Sequence, residues 1–229
     1  MTIQAVILAA GIGSRLGRSE PKPLTPLTDG RSIMQQQMDN LHTAFDDLRV
    51  TSVVGFKIES IMEAFPDVAY VYNERFDQTN TNRSLLKALR LSADGGVLWM
   101  NGDVVFDPRV LDQVKDLIAR EQSFICVNTA VVGDEEVKYT VDQDGYVSRL
   151  SKTVTDALGE SVGINYIGAQ DKAALITRLA ECADQDYFER GLELMIEQDG
   201  IRVLPYDIRE LFAIEVDFEE DLTRANRHL

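Results

Sequence analysis

The chain of 229 residues carries 38 acidic and 23 basic side chains, a formal net charge of −15, and 45% of its residues are hydrophobic. A chain of this length is sufficient for one domain with a full core, so we expect a single domain over 1–229. The negative surface would repel a phosphate backbone, which argues against nucleic acid as a partner. Two histidines and two cysteines without metal-ligand spacing argue against a zinc site and against Ser-His-Asp catalysis.

No apolar run in the sequence approaches the length of about 20 residues that a membrane-spanning helix needs. The first apolar run begins almost at Met1, so no signal peptide is expected before it. We therefore expect a cytoplasmic protein without a membrane span.

Short apolar runs alternate with segments of helical period along the first half of the chain. The predicted strand and helix pairs are 3–8 with 32–45, 50–54 with 58–65, 68–72 with 84–91, and 97–100 with 110–119. This alternation is typical of βαβ units, and it predicts a three-layer α/β/α, Rossmann-like fold around a mostly parallel sheet. Ligands of such sheets bind beyond the carboxyl ends of the strands.

The pattern changes after the apolar run 124–132. Two short runs, 137–141 and 146–150, flank the turn Asp142-Gln143-Asp144-Gly145, which predicts a β-hairpin. We expect this hairpin to form a small lid over an acceptor substrate. Helices are then predicted at 172–182, 187–198 and 219–227, and strands at 162–167, 201–205 and 212–216. Apolar positions on the first two of these helices fit either a core or a partner chain, so a homodimer stays open.

A glycine-rich segment follows the first predicted strand and reads Leu8-Ala9-Ala10-Gly11-Ile12-Gly13-Ser14-Arg15-Leu16-Gly17, with Pro21-Lys22-Pro23-Leu24 just after it. Glycines let backbone N–H groups approach phosphate oxygens, and Arg15 and Lys22 add positive charge. A dinucleotide fingerprint would need glycine where Leu16 stands, and a Walker loop would need Gly-Lys-Ser or Gly-Lys-Thr. The segment therefore predicts a triphosphate site of another kind.

Two carboxylates follow predicted strands. Asp103 comes after 97–100 through Asn101-Gly102, and Asp217 comes after 212–216. We expect both at one edge of the sheet, where two separated carboxylates suit Mg²⁺. Asp217 also fits the N-cap of the helix that follows it. Asp107 fits a helix cap as well, and we leave it out of the site.

The glycine-rich segment and Pro21-Lys22-Pro23-Leu24 resemble the nucleotidyltransferases that carry an L-A-A-G-x-G-x-R-(L/M) loop and a P-K-x-L segment. Later motifs, in order along the chain, make the sequence most similar to small members of the phosphocholine cytidylyltransferase type. These motifs are Asn80-Thr81-Asn82-Arg83-Ser84-Leu85, Gly102-Asp103, Lys138, Ser151-Lys152, Gly159-Glu160-Ser161-Val162-Gly163-Ile164 and Glu215-Val216-Asp217.

The resemblance implies Mg²⁺-dependent transfer of CMP from CTP to a small phospho-alcohol or phosphonate, with release of pyrophosphate. It implies that Arg15 and Lys22 meet the triphosphate and that Asp103 and Asp217 hold the metal. The nucleotide-binding residues that it implies are Leu8, Ala9, Ala10, Gly11, Gly13, Ser14, Asn80, Asn82, Ser84 and Gly102, and the acceptor-binding residues are Lys138, Lys152, Glu160 and Gly163.

Several alternatives stay open at the level of sequence. The asparagine cluster around Asn80 also fits a turn and a helix cap, and Glu160 also fits a solvated strand edge. The acceptor is open among phosphocholine, an aminoalkylphosphonate, another phospho-alcohol and a polyol phosphate. A sugar-1-phosphate nucleotidylyltransferase that uses UTP, dTTP or GTP would share the loop, the Asp103 motif and the fold. A regulatory module that binds nucleotide without turnover is the third hypothesis.

Overall fold

The computed structural model of the protein describes residues 2–130, 132–133 and 136–229, with the backbone alone at Ser14. A central sheet runs through the molecule. Its strands, in spatial order, are β10 (Leu204–Asp207), β6 (Phe124–Asn128), β9 (Gly159–Ile167), β4 (Val97–Asn101), β1 (Ile3–Ala9), β2 (Leu48–Val54) and β3 (Ala69–Tyr72). Four of the six neighbouring pairs are parallel, and β9 is antiparallel to β4 and β6. The predicted mostly parallel sheet is confirmed.

Helices cover both faces of this sheet. One face carries α1 (Ile33–Ala44), α2 (Ile58–Ala64) and α4 (Arg109–Ala119), and the other carries α3 (Thr81–Leu91), α5 (Lys172–Glu181) and α6 (Phe188–Asp199). Side chains along β1 alternate between the two cores, with Ala5 and Ile7 on the first face and Val6 and Leu8 on the second. This confirms the three-layer α/β/α prediction.

A second, two-stranded sheet lies outside the main one. Its strands, β5 (Val104–Phe106) and β11 (Ala213–Glu215), are antiparallel, and α7 (Glu219–Asn226) packs nearby. The prediction of a strand near 212–216 is confirmed, and this strand belongs to the second sheet and not to the main one. Its partner β5 was not predicted as a strand. A run of three residues is too short to show a periodic pattern, and it forms a strand only by pairing with a segment that is distant in the sequence.

The predicted hairpin is present as β7 (Lys138–Val141) and β8 (Val147–Ser151). Tyr139, Val147 and Leu150 are buried in the core on the α6 side of the sheet. At the tip, the Arg202 guanidinium donates to Asp144 over 3.0 Å. The hairpin thus packs on the core, and its expected role as a lid stays a prediction.

The apolar positions of α5 and α6 pack within the chain. Leu175 and Leu179 of α5 and Leu192 and Met195 of α6 are buried in the core that they share with α3. These side chains therefore need no partner chain to be covered, and a homodimer stays a prediction. In the part of the chain that the structure describes, every helix is too short or too polar to cross a bilayer.

Candidate active site

A cavity of about 550 Å³ opens at the carboxyl ends of β1 and β4, where the parallel sheet is expected to bind ligands. Its volume is in the range of small-molecule sites. The glycine-rich segment, the β4–β5 turn and the start of α6 surround it. Of the predicted site residues, those that line it are Leu8, Ala9, Gly11, Gly13, Arg15, Lys22, Asn80, Gly102, Asp103, Lys152 and Asp217.

Two glycines allow the backbone segments of the cavity to come close together. Gly13 has φ +64°, and a Cβ there would lie 3.0 Å from Cβ of Lys22. The Gly102 N–H donates to the Leu8 carbonyl over 2.9 Å, and a Cβ on Gly102 would lie 2.7 Å from that oxygen. These contacts set Lys22 beside the β4–β5 turn. The side chain of Ser14 lies outside the part of the chain that the structure describes, so its contact with nucleotide stays a prediction.

The four residues predicted to be catalytic meet at one point. The Lys22 ammonium lies 2.8 Å from Oδ2 of Asp103 and 2.5 Å from Oδ1 of Asp217, and the Arg15 guanidinium lies 3.1 Å from Oδ2 of Asp217. Burial lowers the pKa of Lys22, but the two carboxylates raise it above its ordinary value. Burial raises the pKa of Asp217, and Lys22 and Arg15 lower it below its ordinary value. Lys22 is therefore charged and Asp217 ionised at neutral pH.

Asp217 and Asp107 differ in what their carboxylates do. At the start of α7 the Phe218 N–H donates to Asp221 over 2.9 Å, which leaves the Asp217 carboxylate to face Lys22. Asp107 instead accepts from the N–H of Arg109 over 2.9 Å and from its guanidinium. Asp107 thus stabilises the start of α4, as predicted, and does not line the cavity. The N-cap interpretation of Asp217 is wrong.

The oxygen atoms near Lys22 fit a hard divalent cation. Oδ1 of Asp103 and Oδ1 of Asn101 are buried, and neither accepts a hydrogen bond within the described ranges. No group of three or more histidine, cysteine or acidic side chains is arranged for a metal among the described residues. Mg²⁺ needs fewer, since one or two carboxylates with substrate phosphates and water suffice. Asp103 and Asp217 fit that requirement, and magnesium stays a prediction.

The cavity lining also includes three more carboxyl groups, those of Glu136, Glu189 and Glu215. Glu215 accepts from the Asn101 amide over 2.9 Å, and burial together with the Asp103 charge raises its pKa well above the ordinary value. Burial raises the pKa of Glu189 to about 7. Sequence reasoning missed Glu189, because a glutamate in the first turn of a helix is typical of a solvated surface.

Lys152 is a further cation of the cavity lining. Its ammonium lies 4.9 Å from the ring centre of Tyr187, within the range of a cation–π contact. Lys152 follows β8 and Tyr187 precedes α6, so the base of the hairpin and the start of the helix meet here. Of the residues predicted to bind the acceptor, Lys152 is the one that lines the cavity.

Two residues of the predicted asparagine cluster are turned away from the cavity. The buried Asn82 amide donates to the Ala183 carbonyl over 2.6 Å, and the buried Ser84 hydroxyl accepts from Asn73 over 3.1 Å. Asn80 lines the cavity and also caps α3, where its Oδ1 accepts from the next N–H. The cap interpretation therefore holds for Asn80, whereas Asn82 and Ser84 make contacts with other parts of the chain, and direct contact of these two with nucleotide would need a rearrangement.

The other predicted residues that lie outside the lining are Ala10, Lys138, Glu160 and Gly163. The Ala10 carbonyl accepts from the Phe56 N–H over 3.1 Å. Glu160 pairs in register with Lys138 across β7 and β9, and it accepts from the Gly133 N–H over 2.7 Å. Their roles toward nucleotide or acceptor stay predictions.

Gly163 lies against the side chains of Glu215 and Asn101. It has φ +70°, and a Cβ there would lie 2.7 Å from Oε1 of Glu215 and 2.8 Å from Nδ2 of Asn101. We expect Gly163→Ala to lower the free energy of unfolding by about 3 kcal/mol, since backbone strain and overpacking add. Gly145→Ala is the matched control, because Gly145 has φ +85° but open space around it. It should lose about 1 kcal/mol. Equal losses in urea unfolding would contradict the role given to Gly163.

The pKa of Glu189 makes stability depend on pH. A carboxyl group whose pKa is raised on folding binds its proton more tightly in the folded state, so stability falls as pH rises from the ordinary value near 4.5 to about 7. The full loss is about 3 kcal/mol. We expect Glu189→Gln to gain stability relative to wild type as pH rises from 4 to 8 in thermal unfolding. A stability difference that does not change with pH would contradict this environment of Glu189.

Comparison with known proteins identifies the family. Residues 5–187, most of the chain, match the model of the MobA-like NTP transferase domain. The chain belongs to this family of nucleotidyltransferases. The resemblance drawn from the glycine-rich segment and the later motifs is thereby confirmed at the level of the family.

One curated relative matches about half of the chain. The chain is 39% identical over 121 residues to a CMP-5'-(3-aminopropyl)phosphonate synthase of Streptomyces rubellomurinus, a match that covers 49% of this chain and 19% of the relative. The chain spans about a fifth to a half of the length of the curated relatives it matches.

Two solved structures share the fold. A CTP:phosphocholine cytidylyltransferase from Streptococcus pneumoniae superposes with a TM-score of 0.76 at 16% identity, over 99% of each chain. A UDP-glucose pyrophosphorylase in complex with UDP-glucose superposes with a TM-score of 0.76 at 14% identity, over 99% of this chain and 98% of the other. At these identities the likeness shows the nucleotidyltransferase fold.

Proposed function

We propose that the protein transfers CMP from CTP to a small phospho-alcohol or phosphonate acceptor and releases pyrophosphate. The observation that carries this proposal is the meeting of Lys22 and Arg15 with Asp103 and Asp217 beside a glycine-rich loop in one cavity. The likeness to a CMP-phosphonate synthase supports CTP as donor and a phosphonate as acceptor.

The reaction requires alignment of two anions and stabilisation of the charge that develops between them. An oxygen of the acceptor attacks the α-phosphorus of CTP, the new P–O bond forms, and the bond to pyrophosphate breaks. Backbone N–H groups of the loop at Gly11 and Gly13 hold the triphosphate. Arg15 and Lys22 stabilise the negative charge on the α-phosphoryl oxygens and on the leaving pyrophosphate.

Mg²⁺ bound by Asp103 and Asp217 would neutralise phosphate charge during this step. The Lys22 ammonium contacts both carboxylates. Asp103 and Asp217 would hold the cation, and the Lys22 ammonium beside them would meet a phosphate oxygen of the nucleotide. Lys152, which lines the same cavity, would meet the phosphate or phosphonate of the acceptor.

The second candidate is a sugar-1-phosphate nucleotidylyltransferase, which the shared fold of the UDP-glucose pyrophosphorylase favours. Pyrophosphate release with Mg²⁺ separates the candidates when CTP, UTP, GTP, ATP and dTTP are each combined with several acceptors. The acceptors are phosphocholine, phosphoethanolamine, 2-aminoethylphosphonate, inositol-1-phosphate and glucose-1-phosphate. We expect turnover with CTP and an amine or polyol acceptor. Turnover restricted to UTP or dTTP with glucose-1-phosphate would establish the second candidate, and nucleotide binding without release would indicate a regulatory module.

A further inference from the structure

The Glu189 carboxyl lies on the cavity wall without a partner for one of its oxygens. The residue is 6% exposed, it lines the cavity, and its Oε2 accepts no hydrogen bond from any residue that the structure describes. Buried carboxyl oxygens in folded proteins are almost always hydrogen-bonded, because an unpaired one is costly. An unpartnered carboxyl oxygen on a residue that lines a ligand cavity therefore indicates a donor that arrives with the ligand.

The cations near Glu189 are already engaged. Lys152 is close enough for its charge to act on Glu189, but its ammonium lies over the Tyr187 ring. Arg190, the next residue along α6, contacts Glu193 over 2.5 Å. Lys22 is held between its two aspartates. The protein thus presents a buried carboxyl group and leaves the matching cation to the substrate.

The neighbouring charges define what kind of ligand fits. Lys152 and Glu189 place an ammonium and a carboxyl group in one small cavity, which the carboxyl groups of Glu215 and Glu136 also line. A short zwitterion, with an anionic phosphonate at one end and a cationic amine at the other, complements that arrangement. A neutral sugar hydroxyl leaves the charge uncompensated.

We propose that Glu189 binds the primary ammonium group of the acceptor and that this contact selects aminoalkyl phosphonates and phosphates. The proposal rests on the proposed function and deepens it. A primary ammonium donates hydrogen bonds to Oε2, whereas a trimethylammonium has no N–H to donate. Glu189 therefore favours a primary amine over choline and over acceptors without an amine.

The test compares acceptors that differ only in the amine. We expect wild type to use 2-aminoethylphosphonate with a kcat/KM about 30-fold above that for ethylphosphonate. In Glu189→Gln we expect most of that preference to be lost, because kcat/KM falls for 2-aminoethylphosphonate and does not change for ethylphosphonate. Glu197→Gln is the matched control, since it makes the same change on an exposed side chain of α6. Equal loss with both acceptors, or no loss with either, in Glu189→Gln would overturn the proposal.

Two further measurements keep this proposal separable from the proposed function. Equal kcat/KM for phosphocholine and phosphoethanolamine in wild type would overturn the role of Glu189 and leave cytidylyl transfer standing. If no phosphate or phosphonate acceptor reacts with CTP, the proposed function fails. Calorimetric binding of 2-aminoethylphosphonate then decides the Glu189 proposal independently. Binding by wild type that weakens about 30-fold in Glu189→Gln supports it, and equal binding by both proteins, or none, overturns it.

Discussion

Lys22→Met is expected to slow pyrophosphate release by about 10³-fold, the effect of removing a preorganised charge that stabilises the transition state. The Lys22 ammonium is held in place before substrate arrives, by Asp103 and Asp217, so no reorganisation of solvent is needed to supply its charge. Methionine retains the length and the apolar stem of the side chain and removes the charge. Steady-state pyrophosphate release with CTP and a responsive acceptor measures the loss.

The same variant should respond to Mg²⁺ in a second way. When Lys22 is replaced by methionine, the carboxylates of Asp103 and Asp217 face each other with less positive charge between them. Because Mg²⁺ would supply that charge, we expect Mg²⁺ to raise the Tm of Lys22→Met more than that of wild type. Lys115→Met is the control, because Lys115 is an α4 surface residue paired with Asp112 three positions before it. A Lys22→Met protein with the wild-type rate and metal dependence would contradict the assignment of Lys22.

Asp103→Asn is expected to lower pyrophosphate release by at least about 10²-fold and to leave the free energy of unfolding little changed. The Asp103 carboxylate contacts Lys22 and has one oxygen without a partner among the described residues, so its charge acts mainly toward ligand. The rate is measured across Mg²⁺ concentrations, and stability by urea unfolding.

Asp107→Asn is the opposite case and serves as the matched control. Asp107 follows β5 as Asp103 follows β4, yet its carboxylate holds the N–H and guanidinium of Arg109 outside the cavity. We expect Asp107→Asn to retain turnover and to lose about 1 kcal/mol of unfolding free energy, as for a weakened helix cap. Equal loss of activity in both variants would contradict the role assigned to the Asp103 carboxylate.

Much of the fold could be predicted from the sequence, since it depends on local periodicity. Apolar runs such as Ile3–Ala9 alternate their side chains between two cores, and the helices between them are long enough to show a helical pattern. The second, two-stranded sheet could not be predicted, because Val104–Phe106 and Ala213–Glu215 are three-residue strands that acquire their hydrogen bonds from each other. This pairing brings the Val216 N–H to the Asp103 carbonyl at 3.0 Å, and it places Asp217 beside Lys22.

Site residues could be predicted where they directly follow a strand. The prediction failed where the role of a residue depends on the direction of its side chain. Asp103 and Lys22 follow segments whose positions the sheet fixes, and they line the cavity as expected. Asn82 is the second residue of α3, and whether its amide faces the cavity or the Ala183 carbonyl depends on a contact 101 residues away in sequence. Glu189 belongs to no motif, and its burial follows from the packing of α6 against the hairpin.

The most direct test of the central claim is a competition in one reaction. The protein and Mg²⁺ are mixed with equal concentrations of CTP, UTP, GTP, ATP and dTTP, together with 2-aminoethylphosphonate, phosphocholine, inositol-1-phosphate and glucose-1-phosphate, and the products are identified by mass. Cytidylyl transfer predicts a CMP adduct of a small non-sugar acceptor, with the aminoalkylphosphonate adduct foremost, and one pyrophosphate for each adduct formed. A UDP- or dTDP-hexose as the main product would contradict it.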